Sequence, residues 1–136
     1  MTERTLVLVK PDGVQRLLVG RILARYEERG LKLVGLKLVQ VSDELARRHY
    51  AVHEGKPFFD GLVSFITRGP AMLLVLEGPE DTWEVVRTLV GATNPRKADP
   101  GTIRGDLGIL FTENLVHASD SLASAAREAS IFFPDL

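Results

Sequence analysis

Four stretches of the chain have the apolar pattern of β-strands. RTLVLVK (4–10) and AMLLVLEG (71–78) are continuous apolar runs, whereas LKLVGLKLVQV (31–41) alternates apolar and other residues. A short continuous run of this kind predicts a fully buried strand. In the alternating stretch the leucines fall on odd positions before Gly35 and on even positions after it, and this shift predicts a β-bulge. A fourth, short strand is predicted within ENLVHASD (113–120).

Five other stretches have the spacing or the end signals of helices. In the first, Val19, Ile22 and Tyr26 recur at helical spacing and Gly30 ends the pattern. The second opens on Ser42, a good N-cap residue. We expect the last helix to be capped by Ser119 or Asp120. The predicted helical stretches are VGRILARYEERG (19–30), SDELARRHYAVH (42–53), PFFDGLVSFITRG (57–69), PEDTWEVVRTLVG (79–91) and SDSLASAAREASIFF (119–133).

The order of these elements predicts the fold class. It reads β-α-β-α-α-β-α-loop-β-α, and the loop (92–108) is rich in Pro, Gly and charge. This order fits an α+β fold of the ferredoxin-like type, with a four-stranded antiparallel sheet and helices on one face. Because the chain has 136 residues and no linker, we expect one domain over 1–136. A structureless loop of this length in a compact domain is usually functional.

Composition and charge exclude several kinds of partner. The formal net charge is −1, so the chain as a whole does not attract nucleic acid or an anionic membrane. The chain has no cysteine, which excludes disulfides and thiolate metal sites. The apolar run near the N-terminus is too short for a signal peptide or a membrane span. We therefore expect a cytoplasmic protein.

The known phosphate-binding and zinc motifs are missing from the sequence. Gly55-Lys56 is followed by Pro57, which excludes a Walker A loop, and no G-x-G-x-x-G or H-E-x-x-H occurs. The three histidines have no metal-ligand spacing with carboxylates, so no protein metal ligands are predicted. If a polyphosphate binds, side chains must hold it, and the candidates are Lys10, Arg87, Thr93, Arg104 and Asn114.

Each candidate has an ordinary structural explanation when it is taken alone. A lysine at a strand end is usually solvated, and an arginine on an amphipathic helix is usually a surface charge. A single histidine on a strand, such as His117, is most often packed or exposed without a chemical role. His49 and His53, near a helix end, are expected to be structural or exposed. The candidates taken together, with the motifs in which they lie, favour a function over these separate structural explanations.

Six short motifs in register resemble the nucleoside diphosphate kinase family. They lie in order along the chain from about residue 4 to residue 133, and Ala118 stands where many members have glycine. The motifs are KPDGVQR (10–16), HY (49–50), PFF (57–59), TNP (93–95), PGTIRGD (100–106) and NLVHASD (114–120).

The resemblance implies a phosphate transfer from a nucleoside triphosphate to a nucleoside diphosphate through a phosphohistidine on His117. A phosphorylated imidazole is a good leaving group, whereas a serine phosphate is a stable ester, so histidine suits a reversible carrier. Two easier steps then replace one difficult transfer. The resemblance also implies that Glu128 hydrogen-bonds the other ring nitrogen of His117 and that Ser119 steadies Glu128.

The same resemblance assigns the remaining site residues. Lys10, Arg87, Arg104 and Thr93 match positions that hold phosphates and ribose, and Asn114 matches one that contacts the sugar hydroxyl. Tyr50 matches a residue near the histidine, and Phe58 matches the ring that stacks on the base, with Leu62 as its apolar neighbour. No aspartate cluster suggests a built-in magnesium cage. Mg²⁺ is therefore expected to arrive on the nucleotide phosphates.

The resemblance further implies a homo-oligomer built from dimers, with a hexamer favoured over a tetramer. The dimer is expected to pair sheet edges, which would protect an exposed strand. Two other classes share the inferred fold. An RNA-recognition module would need a basic charge and an aromatic-rich strand motif, and both are missing. A regulatory ferredoxin-like module would leave Lys10, Arg87, Arg104 and His117 unexplained.

Overall fold

The computed structural model describes residues 2–136 and has an antiparallel four-stranded sheet at its centre. The strand order is β2-β3-β1-β4, so β1 is separated from β2 and β3 from β4, as in a ferredoxin-like fold. This confirms the predicted fold class and all four strands. The strands are β1 (Glu3–Val9), β2 (Lys32–Val39), β3 (Ala71–Gly78) and β4 (Val116–Ala118).

The five predicted helices are present, and two short ones were not expected. Pro11 opens the first of these directly after β1, because its fixed φ and missing N–H suit the first turn of a helix. The loop 92–108 is not structureless: it contains a 3-10 turn, Pro95–Lys97, and a short helix. The helices are α1 (Pro11–Gln15), α2 (Val19–Glu28), α3 (Asp43–His49), α4 (Phe59–Ile66), α5 (Thr82–Val90), α6 (Ile103–Leu107) and α7 (Leu122–Phe132).

Helices cover both faces of the sheet, so the expectation of one covered face was wrong. On one face Val7 and Val9 of β1 pack with α2 and α5, and on the other Leu6 and Leu8 pack with α3, α4 and α7. These four side chains are 0% exposed. Successive residues of a strand point to opposite faces, so a continuous apolar run requires cover on both.

β2 is an edge strand with the predicted irregularity. Its register with β3 shifts between Leu33 and Gly35, which confirms the bulge. A side chain at Gly35 would lie 3.2 Å from atoms of Phe133 and Leu136, so glycine lets the end of the chain pack closely on this strand. Beyond the bulge, Leu36 and Leu38 are 50% and 58% exposed.

The N-cap of α7 differs from the prediction, whereas that of α3 agrees with it. Ser42 accepts a hydrogen bond from the Leu45 amide at 3.1 Å, as expected. In α7 the cap is Ser121, whose hydroxyl accepts from the Ser124 amide at 3.0 Å. Ser119 is not available because its hydroxyl donates to Glu128, and Asp120 is exposed.

Among the helices of residues 2–136, none is both long and apolar enough to cross a membrane.

We expect Ser121→Ala to lower the free energy of unfolding by about 1 kcal/mol, the usual loss when a helix loses its N-cap hydroxyl. Asp120→Ala is the matched control one residue earlier, and it should change stability by less than about 0.5 kcal/mol. Urea titration followed by circular dichroism measures both. A larger loss for Asp120→Ala would contradict the assignment of the cap.

Candidate functional site

His117 lies at the middle of β4, on the face of the sheet that α7 covers. It pairs with Leu8 of β1, and its neighbours Val116 and Ala118 are buried in the opposite core. The strand alternation therefore turns the imidazole towards α7. The His117 side chain is 25% exposed, so a ligand can reach it from solvent.

Glu128 and Ser119 form a hydrogen-bonded chain with the imidazole. The distance from His117 Nε2 to Glu128 Oε1 is 2.9 Å, and Ser119 Oγ donates to the same oxygen at 2.6 Å. Burial raises the pKa of Glu128, but the hydrogen bond and charge of His117 and the hydrogen bond of Ser119 outweigh it and lower that pKa to about 2. A carboxylate at this place holds the proton of neutral His117 on Nε2, so the lone pair is on Nδ1.

Lys10, Asn114 and Thr93 are joined in a second hydrogen-bonded chain. Lys10 Nζ donates to Asn114 Oδ1 at 2.8 Å, and Asn114 Nδ2 donates to the Thr93 carbonyl at 3.0 Å. Lys10 is 7% exposed and follows the last residue of β1. The ammonium group is thus held in one place by a side chain from the turn before β4.

The two predicted arginines hold backbone carbonyls of β4 and the turn before it. Arg104 on α6 donates from Nε to Asn114 at 3.1 Å and from Nη2 to Val116 at 2.6 Å. Arg87 on α5 donates to Ala118 at 3.1 Å. Arg104 Nη1 also donates to the Gly91 carbonyl, at 3.3 Å. The guanidinium groups are therefore positioned largely by the strand that carries His117 and the turn before it.

The cations lie close enough to affect one another. Burial is the largest cause that lowers the pKa of Lys10, to about 8, and the charge of Arg104 adds to it. Burial likewise lowers the pKa of Arg104 to about 10, and the charge of Arg87 is the next cause. Positive charges that disfavour one another in a partly desolvated place are a suitable arrangement for a bound anion.

Sequence reasoning missed Asp12, which fixes the turn into β4. Its Oδ2 accepts from the Leu115 amide at 3.1 Å, and the Lys10 amide donates to the Leu115 carbonyl at 2.8 Å. Leu115 is fully buried with φ of 74°, a conformation that L residues rarely adopt. These two hydrogen bonds hold a strained residue directly between Asn114 and Val116.

Phe58, the N-cap residue of α4, and Leu62 on α4 lie apart from these hydrogen-bonded chains. The Phe58 ring is 47% exposed, and Leu62 lies one helical turn later, partly buried against the core. An exposed aromatic ring beside an apolar residue can stack on a planar ligand. Tyr50, at the end of α3, is 6% exposed, and burial raises the pKa of its hydroxyl.

Two surface clefts lie near these groups. One, of about 440 Å³, is lined by Arg87 and Thr93 and by residues of the loop that follows α5. The other, of about 400 Å³, is lined by residues of α1 and of the segment before β4, and it contains none of the predicted site residues. Of these two clefts, only the first is lined by predicted site residues, namely Arg87 and Thr93.

His49 is a further residue that the sequence did not single out as chemically important. It ends α3, is 3% exposed, and its ring contacts that of His117 edge-on, with 4.6 Å between ring centres. In the sequence, only its place in the HY motif pointed to a functional role for His49. Only the packing of α3 against α7 brings it to His117.

Comparison with known proteins identifies the family. A family model described as nucleoside diphosphate kinase matches residues 3–136. The nucleoside diphosphate kinase of Chloroflexus aggregans is 60% identical over 131 residues, which cover 96% of this chain and 87% of that protein. That of Carboxydothermus hydrogenoformans is 59% identical over 133 residues, which cover 98% and 89%.

Solved structures agree with the sequence relatives. A halophilic nucleoside diphosphate kinase from Halobacterium salinarum in complex with CDP is 53% identical, with a TM-score of 0.95 and coverage of 99% of this chain and 90% of that one. A nucleoside diphosphate kinase family protein from Babesia bovis is 47% identical, with a TM-score of 0.93 and coverage of 96% and 88%. The chain therefore belongs to the nucleoside diphosphate kinase family and is an enzyme of that class.

Proposed function

We propose that the enzyme transfers phosphate in two steps through Nδ1 of His117. The supporting observation is the hydrogen bond between His117 Nε2 and Glu128, because it leaves the Nδ1 lone pair free on a partly exposed imidazole. Nδ1 attacks the terminal phosphorus of the triphosphate, a P–N bond forms, and the P–O bond to the departing diphosphate breaks. A terminal phosphate oxygen of the second nucleoside diphosphate then attacks and breaks the P–N bond.

Glu128 has a second role in this proposal. The imidazole becomes positively charged as the P–N bond forms, and a buried carboxylate at 2.9 Å stabilises that charge. Ser119, which donates to the same carboxylate oxygen, keeps Glu128 oriented. Tyr50 lies at the end of α3, and its ring packs against that of His49.

The cations and polar groups around β4 would bind the nucleotide. Lys10, Arg87 and Arg104 would hold the phosphates, Thr93 the phosphate or ribose, and Asn114 the sugar hydroxyl. Their charges favour the transferring phosphoryl group, whose negative charge lies on its outer oxygens. Phe58 with Leu62 would stack on the base, and because every base has a π-face, such stacking discriminates little between bases.

The metal would be Mg²⁺ that arrives with the nucleotide. The side chains assigned to the phosphates are cationic or amide groups, and ammonium and guanidinium groups do not ligate metal ions. Mg²⁺ prefers oxygen ligands and keeps several waters, so phosphate oxygens and water suit it better than this set of side chains. Mg²⁺ bound in this way would lower the negative charge that the nucleophile must approach.

We further propose that 1–136 is one domain, that it acts in the cytoplasm where nucleotides are used, and that it forms a homo-oligomer, a hexamer in preference to a tetramer. Edge strand β2 supports the oligomer, because Leu36 and Leu38 are exposed along it. An exposed apolar edge is a template for pairing, and two copies of β2 could pair about a two-fold axis.

Incubation with γ-labelled ATP and magnesium should leave one phosphate per chain, labile in acid and stable in base. His117→Ala should lose labelling and turnover, since the nucleophile is gone, whereas His53→Ala should keep both. Initial rates at several acceptor concentrations should give parallel double-reciprocal lines. Convergent lines, or a fully labelled His117→Ala, would contradict the covalent mechanism.

Glu128→Gln should lower kcat by roughly ten- to a hundredfold, the usual cost of losing a carboxylate that orients a histidine. The pKa of about 2 keeps Glu128 ionised throughout the working range, so this loss should not vanish between pH 6 and 9. Ser119→Ala keeps the charge and removes one hydrogen bond, so its kcat should fall by less than about tenfold. Equal losses in both variants would count against a charge effect.

Light scattering should report a mass of about six times the 15.0 kDa chain. Leu38→Lys should reduce this mass because it places a charge in the proposed edge pairing. Val52→Lys is the matched control, since Val52 is also largely exposed but lies outside the sheet. A monomer in the unsubstituted protein would rule the proposed assembly out.

A further inference from the structure

We propose that His49, His117 and Glu128 form a binding site for a zinc-type divalent metal ion, and that this ion switches off phosphate transfer. The three residues each offer one ligand atom, and these atoms all lie within 4.8 Å of one another. Two imidazoles and one carboxylate are a common zinc ligand set, with the fourth position left to water. The site is distinct from the place proposed for Mg²⁺ because Mg²⁺ prefers oxygen ligands to imidazole nitrogen.

His49 is the unusual member of this group. It is 3% exposed, and among residues 2–136 neither of its ring nitrogens has a hydrogen-bond partner. Buried polar atoms are normally paired, so an unpaired one calls for an explanation. The phosphate-transfer mechanism proposed above does not use His49. A metal ion that accepts the lone pair of one ring nitrogen would satisfy that nitrogen.

The ring of His49 is held by aromatic packing. It contacts His117 edge-on, and it packs against Tyr50 at 4.6 Å and Phe132 at 5.3 Å between ring centres. Burial, followed by the charge of His117, lowers the pKa of His49 to about 3. Burial favours the neutral imidazole, and this is the form that binds metal.

The other two ligands are already arranged around one position. His117 Nε2 and Glu128 Oε1 are 2.9 Å apart, and Ser119 donates to that carboxylate oxygen. A tetrahedral zinc ion with bonds of about 2.0–2.2 Å holds its ligand atoms about 3.3–3.6 Å apart, so the longest separation must shorten by more than about 1 Å and the 2.9 Å contact between His117 and Glu128 must lengthen. Side-chain shifts of about 1 Å would therefore complete the site. The exposed part of His117 gives the ion a route in.

The consequence for catalysis follows from the single proton on neutral imidazole. Zinc on Nε2 takes the lone pair of that nitrogen, so the proton moves from Nε2 to Nδ1. A protonated Nδ1 has no lone pair with which to attack phosphorus. Metal binding and phosphorylation of His117 then exclude each other. This consequence rests on the proposed function, whereas the binding of metal does not.

The binding experiment uses zinc chloride without nucleotide or magnesium. Isothermal titration of the unsubstituted protein should give one ion per chain. His49→Phe keeps an aromatic ring in the packed position and removes the ligand, so affinity should fall at least tenfold. His53→Phe is the matched control, because it removes the neighbouring histidine outside the site, and its affinity should not change. No binding, or equal binding by His49→Phe, would overturn the site.

Two further measurements keep the proposal testable if His49→Phe folds poorly. Nitrogen-15 NMR of the unsubstituted protein should show the His117 proton move from Nε2 to Nδ1 when zinc is added. Cobalt(II) in place of zinc should give the visible absorption of a tetrahedral centre. A His117 spectrum that zinc leaves unchanged would contradict the site directly.

The activity experiment measures labelling of His117 by γ-labelled ATP in excess magnesium, with and without micromolar zinc. Labelling of the unsubstituted protein should fall at least tenfold, and His49→Phe should be labelled equally with and without zinc. Zinc that inhibits both proteins equally would overturn the inhibitory role. If no protein is labelled even without zinc, the proposed phosphohistidine fails while the titration still decides the metal site.

Discussion

The pairing of β4 with β1 is the constraint on which the whole site depends. β4 has only three residues, and the turn before it contains the strained Leu115. Asp12 and the Lys10 amide bond the backbone of Leu115, and Arg87 and Arg104 bond carbonyls around β4. The groups proposed to bind phosphate are thus the same groups that hold the strand of the histidine. Nucleophile and cations are placed by one set of hydrogen bonds.

This arrangement has an electrostatic consequence. Lys10 and Arg104 lie near one another and near Arg87, and burial, followed by the neighbouring positive charge, lowers the pKa of both. Cations of this kind cost folding free energy, and a bound anion such as a polyphosphate would offset that cost. The histidine has the opposite surroundings, with the carboxylate of Glu128 held ionised beside it. In the proposed mechanism, the cations stabilise the phosphate and the carboxylate stabilises the histidine during the same transfer.

Where the structure differs from the sequence interpretation, neighbouring elements explain it. The continuous apolar run of β1 implied two covered faces, but the order of elements alone led to an expectation of one. Ser119 has the right residue type to cap α7, yet its hydroxyl donates to Glu128, and Ser121 caps the helix instead. The long loop contains α6 because Thr102 caps it by accepting from the Gly105 amide.

By itself, the sequence determined the strands, the main helices, the fold class and the motifs that resemble the family, since these depend on periodicity, caps and short spacings. Tertiary structure alone decided which distant groups meet. Lys10 and Asn114 are 104 residues apart in the chain, and Ser119 and Glu128 are brought together by strand and helix packing. His49 shows the limit most clearly. No spacing in the sequence suggested metal ligands, because His49 reaches His117 only through the packing of α3 against α7.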